Sequence, residues 1–89
     1  MKKIFKYPID LIDKQTIFMP KGAVILTVQI QMNRACIWSM VEPDKPNEKR
    51  VIRVIGTGHE IQDRNLKYIG TIQQFDGELI LHVFEAISD

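Results

Sequence analysis

The feature that most constrains this chain is a succession of short apolar segments separated by turn residues, with no sustained helical period. Apolar side chains that alternate with polar ones over about four to eight residues are typical of half-buried β-strands. An amphipathic helix would instead repeat about every 3.6 residues. Residues 60–66 are expected to form at most one helical turn. We predict strands over residues 3–9, 15–19, 23–32, 35–41, 50–55, 67–75 and 78–86.

Turn residues mark the connections between these segments. Asn33-Arg34 separates two strands, and asparagine tolerates the left-handed conformation that a tight hairpin requires. Asp76-Gly77 is the clearest hairpin signal in the chain. Residues 42–49 contain two prolines and five charged side chains, which predicts a surface loop.

Six to seven short strands with short connections indicate an all-β fold, a small antiparallel β-sandwich or barrel. The 89 residues leave no room for a second domain, so residues 1–89 form a single β domain. The segment 78–86 is apolar on both faces, and a strand of this kind is covered on both sides. We therefore expect a homo-oligomer. One face of that segment carries Leu79, Leu81 and Val83, and the other carries Ile80, Phe84 and Ala86 with His82 among them.

Composition excludes several classes of function. Twelve basic residues against eleven acidic ones give a net charge of +1, which argues against DNA binding. No apolar run approaches the roughly 20 residues of a transmembrane helix, so we expect no membrane partner. The single cysteine, Cys36, indicates a reducing cytoplasm. Two histidines and one cysteine show no metal-ligand spacing, and no nucleophile accompanies His59 and Glu60. We therefore expect no metal, no cofactor and no enzyme activity.

The segment Gly56-Thr57-Gly58-His59 is the first candidate binding site. Two glycines around a threonine expose backbone N–H groups that can form an anion-binding concavity, and Thr57 and His59 add side-chain donors. The lysine and the spacing of a P-loop are absent. The alternative is a strand-ending turn whose glycines satisfy positive φ. His82, on an otherwise apolar face, is expected to be a core or interface histidine rather than a ligand-binding residue.

Other polar and aromatic residues could complete a nucleotide site. Gln29 and Gln31 project from one face of a strand and could read a purine or a ribose, or they could simply be solvated. Arg53 lies between apolar neighbours on its own face, which favours a partly buried anion contact. Trp38 and Tyr68 could stack on a base. The alternative for Trp38 is a core aromatic that holds two sheets together, and for Tyr68 both interpretations stay open.

An ordered set of motifs along nearly the whole chain resembles a family of very short proteins that tailed bacteriophages and prophages encode. That family is classified as a domain of unknown function. The motifs are Lys6-Tyr7, Pro20-Lys21-Gly22-Ala23, Ile25-Leu26, Val28-Gln29, Trp38, Pro43-Asp44, Gly56-Thr57-Gly58-His59, Tyr68-Ile69-Gly70-Thr71 and His82-Val83-Phe84-Glu85.

The resemblance implies a phage accessory protein made in the cytoplasm of a bacterial host. Small phage proteins of this kind often act against host defence. One recurring strategy is a compact homo-oligomer that sequesters a nucleotide second messenger without cleaving it. By that analogy we expect a sponge for an anionic nucleotide signal, either a cyclic ADP-ribose isomer or a cyclic oligonucleotide. Phosphates would contact residues 56–58, His59 and Arg53, while Gln29 and Gln31 read polar edges.

Two alternatives remain open at this stage. The chain could be a protein–protein inhibitor or a small assembly module. It would then bind a host or virion protein through the 42–49 loop and an exposed strand edge. It could also degrade the messenger, in which case the signal would disappear on incubation.

Overall fold

Seven antiparallel strands form two sheets in the computed structural model, which describes residues 1–87. Sheet A has the strand order β1-β4-β3, and sheet B has the order β2-β5-β7-β6. This arrangement confirms the predicted small all-β sandwich. The strands are β1 (Lys3–Pro8), β2 (Lys14–Pro20), β3 (Val24–Gln31), β4 (Arg34–Val41), β5 (Asn47–Gly56), β6 (Leu66–Gln74) and β7 (Leu79–Ala86).

Two segments differ from the prediction. Residues 60–66 contain no helical turn: Leu66 begins β6, and the loop before it is held by an ion pair between Asp63 and Arg53. Residues 47–49 are not part of a surface loop. They begin β5 and pair with the last three residues of β2, so that Asn47 lies opposite Pro20. The loop between β4 and β5 therefore shortens to residues 42–46.

Both predicted hairpins are present, and positive φ angles mark their turns. Met32 and Asn33 have φ values of 50° and 65°, so the first turn lies one residue before the predicted pair. Arg34 already belongs to β4. In the second hairpin, Asp76 and Gly77 have φ values of 54° and 86°. These left-handed conformations match the right-handed twist of the strands that they join.

The core lies between the two sheets and is built from residues that alternate along the strands. At one side of the sandwich β3 and β6 approach closely. A Cβ atom added at Gly70 would lie 2.9 Å from Cγ1 of Val28, so this contact requires glycine at position 70. The sheets therefore meet along these two strands. The buried core comprises Ile9, Met19, Ala23, Val28, Ala35, Ile37, Val41, Ile52, Val54, Ile72 and Val83.

A register shift in β3 changes which of its side chains face the core. The shift lies between Ile25 and Thr27 and inserts one extra residue, which moves the preceding side chains to the opposite face. The sequence predicts Val24, Leu26, Val28, Ile30 and Met32 as one core face. Of these, only Val28 and Ile30 contact the core. Ile25, which was not predicted to face the core, also contacts it, and Leu26 is 47% exposed.

Candidate functional site

The turn at residues 56–59 follows directly from the end of β5. The His59 N–H donates to the Gly56 carbonyl oxygen at 3.2 Å, which closes the turn. Gly58 has φ 87°, a conformation that glycine adopts without strain. The His59 ring packs over Gly56, so that a Cβ atom there would lie 3.1 Å from Cε1. Thr57, Gly58 and His59 are all exposed. The turn thus presents its threonine to solvent next to sheet B.

A chain of hydrogen bonds runs from this turn across the outer face of sheet B. Thr57 Oγ1 lies 2.7 Å from Nε2 of His82, and Nδ1 of His82 lies 3.0 Å from Thr71 Oγ1. Thr71 Oγ1 lies 2.6 Å from the Tyr68 hydroxyl. We call these four residues the hydroxyl–imidazole chain. The pairing of β6 with β7 produces it, because Thr71 lies opposite His82.

The hydroxyl–imidazole chain always leaves one hydroxyl proton to donate outward. A neutral imidazole donates from one ring nitrogen and accepts at the other. If Nε2 of His82 donates to Thr57, then Nδ1 accepts a hydrogen bond from the Thr71 hydroxyl. Thr71 in turn accepts from the Tyr68 hydroxyl, and the Thr57 hydroxyl proton is left free. If Nδ1 donates instead, the direction reverses and the Tyr68 proton is free. Either end can therefore serve a ligand acceptor.

Sequence reasoning identified Thr57 and Tyr68 but missed Thr71 and His82 as candidate site residues. His82 was expected to be a core or interface residue. It lies half-buried on the outer face of sheet B, between the hydroxyl of Thr57 in the turn after β5 and the hydroxyl of Thr71 on β6. The register of the hairpin at Asp76-Gly77 could have placed Thr71 beside His82.

An aromatic pair borders the hydroxyl–imidazole chain. The rings of Tyr68 and Phe84 lie with centroids 5.5 Å apart and planes at 64°, an edge-to-face arrangement. Tyr68 remains 58% exposed, whereas Phe84 is half-buried. The contact orients the tyrosine and leaves much of its ring exposed.

Arg53 lies on the outer face of sheet B, on the opposite side of β5 from Arg50, as the strand alternation predicts. Its Nε donates to the Asp13 carbonyl oxygen at 2.8 Å, and its Nη1 donates to the Asp63 carboxylate. This hydrogen bond holds the pKa of the Asp63 carboxyl below its usual value. Arg53 therefore already has two acceptors, one of them charged.

A cavity of about 380 Å³ opens at the end of sheet B next to the 56–59 turn. We call it the loop-end cavity. Most of its walls are apolar, and two acidic residues contribute to its lining. None of the described residues that line it is a lysine or an arginine. They are Leu11, Ile12, Asp13, Val54, Gly56, Thr57, His59, Glu78, Leu79, Ile80 and Leu81.

Gln29, Gln31 and Trp38 lie on the other side of the molecule, on the outer face of sheet A. Gln31 Oε1 accepts a hydrogen bond of 2.8 Å from Lys6 Nζ. Trp38 alternates with the buried Ile37 and is half-buried on the outside, so the interpretation as a core aromatic between the sheets is wrong. A single chain therefore does not bring these three residues together with Arg53, Tyr68 and the 56–59 turn.

Two further observations concern metals and membranes. Within residues 1–87, no group of three or more His, Cys, Asp and Glu residues is arranged to hold a metal ion. The described part of the chain also has no helix long and apolar enough to cross a membrane.

Together, the two sheets, the hydroxyl–imidazole chain and the loop-end cavity define a small all-β sandwich protein with a polar and aromatic surface at one end of sheet B. A family model described as Domain of unknown function (DUF7352) matches residues 1–89, and the chain belongs to that family. No curated protein and no solved structure matches the chain.

Proposed function

We propose that this chain is a non-enzymatic phage or prophage accessory protein that acts against host defence in the bacterial cytoplasm. It would bind and sequester an anionic nucleotide second messenger of host immunity, such as a cyclic ADP-ribose isomer or a cyclic oligonucleotide. The hydroxyl–imidazole chain carries this proposal. It supplies hydrogen-bond donors on an exposed sheet face, between an exposed tyrosine and a cavity.

The chemistry of the surface suits the parts of a nucleotide. Tyr68 offers an exposed ring for stacking on a base or a ribose. Thr57 or Tyr68 can donate to a phosphate oxygen, and protonation of His82 would make both of its ring nitrogens donors. Both terminal hydroxyl protons could then point outward. Arg53 would contribute only if a phosphate oxygen replaced Asp63 beside its guanidinium.

A homo-oligomer is part of the proposal. Gln29, Gln31 and Trp38 lie on the outer face of sheet A, so only a second copy could bring them to a ligand on sheet B. The same face of sheet A exposes apolar side chains, among them Ile4 and Leu26. Contact between copies would remove this apolar surface from water.

A thermal-shift screen tests the proposal directly. The purified chain is mixed with cyclic nucleotides, cyclic ADP-ribose isomers, NAD and ADP-ribose. A ligand at about 100 times its dissociation constant adds roughly 2.7 kcal/mol, which should raise the melting temperature by roughly 10–20 °C. Heat denaturation of the complex should then return the messenger intact. Recovery of a cleaved product would favour the enzyme alternative, and no shift with any nucleotide would contradict the proposal.

A protein partner is the second candidate function, and the sheet topology favours it. In the described sandwich, β1 is an edge strand of sheet A and β2 is an edge strand of sheet B, so each can pair with a strand of another protein. Phe18 on β2 is 56% exposed. If this function is correct, no nucleotide shifts the melting temperature, and pull-down from host lysate recovers one dominant protein.

A further inference from the structure

We propose that the loop-end cavity binds the base of the messenger and prefers guanine, an inference that rests on the proposed function. The cavity holds about 380 Å³, within the range of roughly 300–1,000 Å³ that small-molecule sites occupy. Three separate segments form it: residues 11–13, the end of β5 with the following turn, and residues 78–81.

The walls of the cavity are mostly apolar, like the faces of a base. Val54, Leu79 and Leu81 come from strands of sheet B, and Leu11 and Ile12 come from the loop before β2. Ile12 is 50% exposed, so apolar surface at the mouth of the cavity remains in contact with water. A base that entered between these side chains would cover that surface, which favours binding.

The charges of the cavity argue against a phosphate inside it. Asp13 and Glu78 are acidic, and the described lining contains no lysine or arginine. A phosphate placed there would face two like charges with no lysine or arginine beside it. This differs from the sequence-based expectation that phosphates rest on residues 56–58. On the cavity side of that turn, the acidic lining favours groups that donate hydrogen bonds.

Guanine is the base whose donors best match a carboxylate. An ionised carboxylate only accepts, and its two oxygens can take two parallel hydrogen bonds. Guanine presents such a pair, N1–H and the 2-amino group, on one edge. Adenine and cytosine place a ring nitrogen lone pair beside their amino group, where it would oppose the second oxygen. Uracil has a single N–H between two carbonyl groups.

Thr57 lies between the proposed base site and the surface that would bind the sugar and phosphate. It lines the loop-end cavity, and its hydroxyl also belongs to the hydroxyl–imidazole chain. With a guanine inside the cavity, the sugar and phosphate would extend past Thr57 toward His82 and Tyr68. The messenger would therefore be a guanine-containing cyclic nucleotide rather than an adenine-based cyclic ADP-ribose isomer.

Neutral nucleosides carry the base but no phosphate, so their affinities test recognition of the base alone. Isothermal titration of the full chain should give guanosine an affinity at least about ten-fold higher than that of adenosine or of inosine, which lacks the 2-amino group. The double variant Asp13→Asn/Glu78→Gln should lose that preference. Both side chains are exposed, so the fold should be retained. Glu60→Gln, which removes one exposed carboxylate outside the cavity, should keep the preference.

Several outcomes would overturn the inference. Equal affinity for guanosine and adenosine, or an unchanged guanosine affinity in the double variant, would show that the carboxylates do not read the base. Binding of free arginine without guanosine would assign the cavity to a guanidinium-bearing protein segment. If a nucleotide messenger still binds in the thermal-shift screen, only the preference for guanine is wrong. If no nucleotide binds, the proposed function fails as well.

Discussion

Glu85 on β7 accepts two hydrogen bonds from the Arg50 guanidinium on β5, one of them 2.9 Å long from Nη2 to Oε1. The Arg50 Nη1 also donates to the carbonyl oxygen of Ala23, which precedes β3, at 2.7 Å. The pair therefore connects sheet B to the start of a sheet A strand. The hydrogen bond to Glu85 raises the pKa of Arg50 above its usual value. Only 8% of the Glu85 side chain is exposed, so the carboxylate depends on this partner.

Replacement of Glu85 should destabilise the fold. Glu85→Gln removes the carboxylate that accepts two hydrogen bonds from the largely buried Arg50 guanidinium, and it leaves only Glu48, 3.9 Å from Nη1, as a counter-charge. Breaking a buried pair in this way typically costs about 3 kcal/mol of unfolding free energy. Urea denaturation of the two proteins measures the difference. Glu42→Gln is the matched control, because it removes a carboxylate 3.9 Å from Lys45 on the exposed surface. Its effect should stay within about 0.5 kcal/mol, and equal effects for the two variants would contradict the prediction.

The alternation of side chains groups the residues of β7 as the structure does, because Leu81 and Val83 contact the core and His82 lies on the opposite face. In β4 the buried residues at positions 35, 37, 39 and 41 follow the same period of two. These strands pair without register shifts against β1 and β5, so a period of two is preserved. In β3 the same rule is wrong before Thr27, since the extra residue there has no glycine or proline to signal it.

The site was less accessible to sequence reasoning because its parts are distant along the chain. Thr57 and His82 are 25 residues apart, and they meet only because β5 pairs with β7. Asp13 and Glu78 join the loop-end cavity from two different connections. Alternation identifies a face of a strand, but it does not identify which loops meet at its end. For Trp38 the sequence left two interpretations open, and only the core interpretation is wrong, because Trp38 is half-buried on the outer face of sheet A.

Removal of the Thr57 hydroxyl should weaken ligand binding without unfolding the protein. Thr57→Val keeps the shape of the side chain. It removes the hydrogen bond to His82 and the hydroxyl donor at that end of the hydroxyl–imidazole chain. We expect the affinity for the bound nucleotide to fall about ten-fold, with a change in unfolding free energy below about 1 kcal/mol, because position 57 is exposed. Titration calorimetry and urea denaturation measure the two quantities.

Thr16→Val is the control for this variant. Thr16 is an exposed threonine on β2, outside the hydroxyl–imidazole chain and outside the loop-end cavity. Its substitution should leave the affinity unchanged. Equal affinities for the Thr57→Val variant and the unmodified chain would show that the hydroxyl–imidazole chain does not contact the ligand.

The ion pair between Arg53 and Asp63 should make stability depend on pH in the acid range. Because the pKa of Asp63 is lower in the folded chain, its contribution is fully present above the ordinary aspartate value of 3.8 and is lost as the pH falls through the lower folded value. Asp63→Asn should therefore flatten the fall of melting temperature between about pH 5 and about pH 2. Asp44→Asn, in the 42–46 loop, is the control for loss of one carboxylate. Parallel curves for the unmodified chain and the Asp63→Asn variant would rule out this linkage.

The outer face of sheet A provides the test of oligomerisation. Leu26 is 47% exposed on that face, at the register shift of β3. If copies associate there, Leu26→Lys places a charge in the contact and should reduce the particle to the 10.3 kDa of one chain in light scattering. Phe18→Lys makes a comparable change on the outer face of sheet B and should leave the larger mass unaltered. A mass of 10.3 kDa for the unmodified chain across a concentration series would contradict the homo-oligomer, and the three polar and aromatic residues on sheet A would then have no route to a ligand on sheet B.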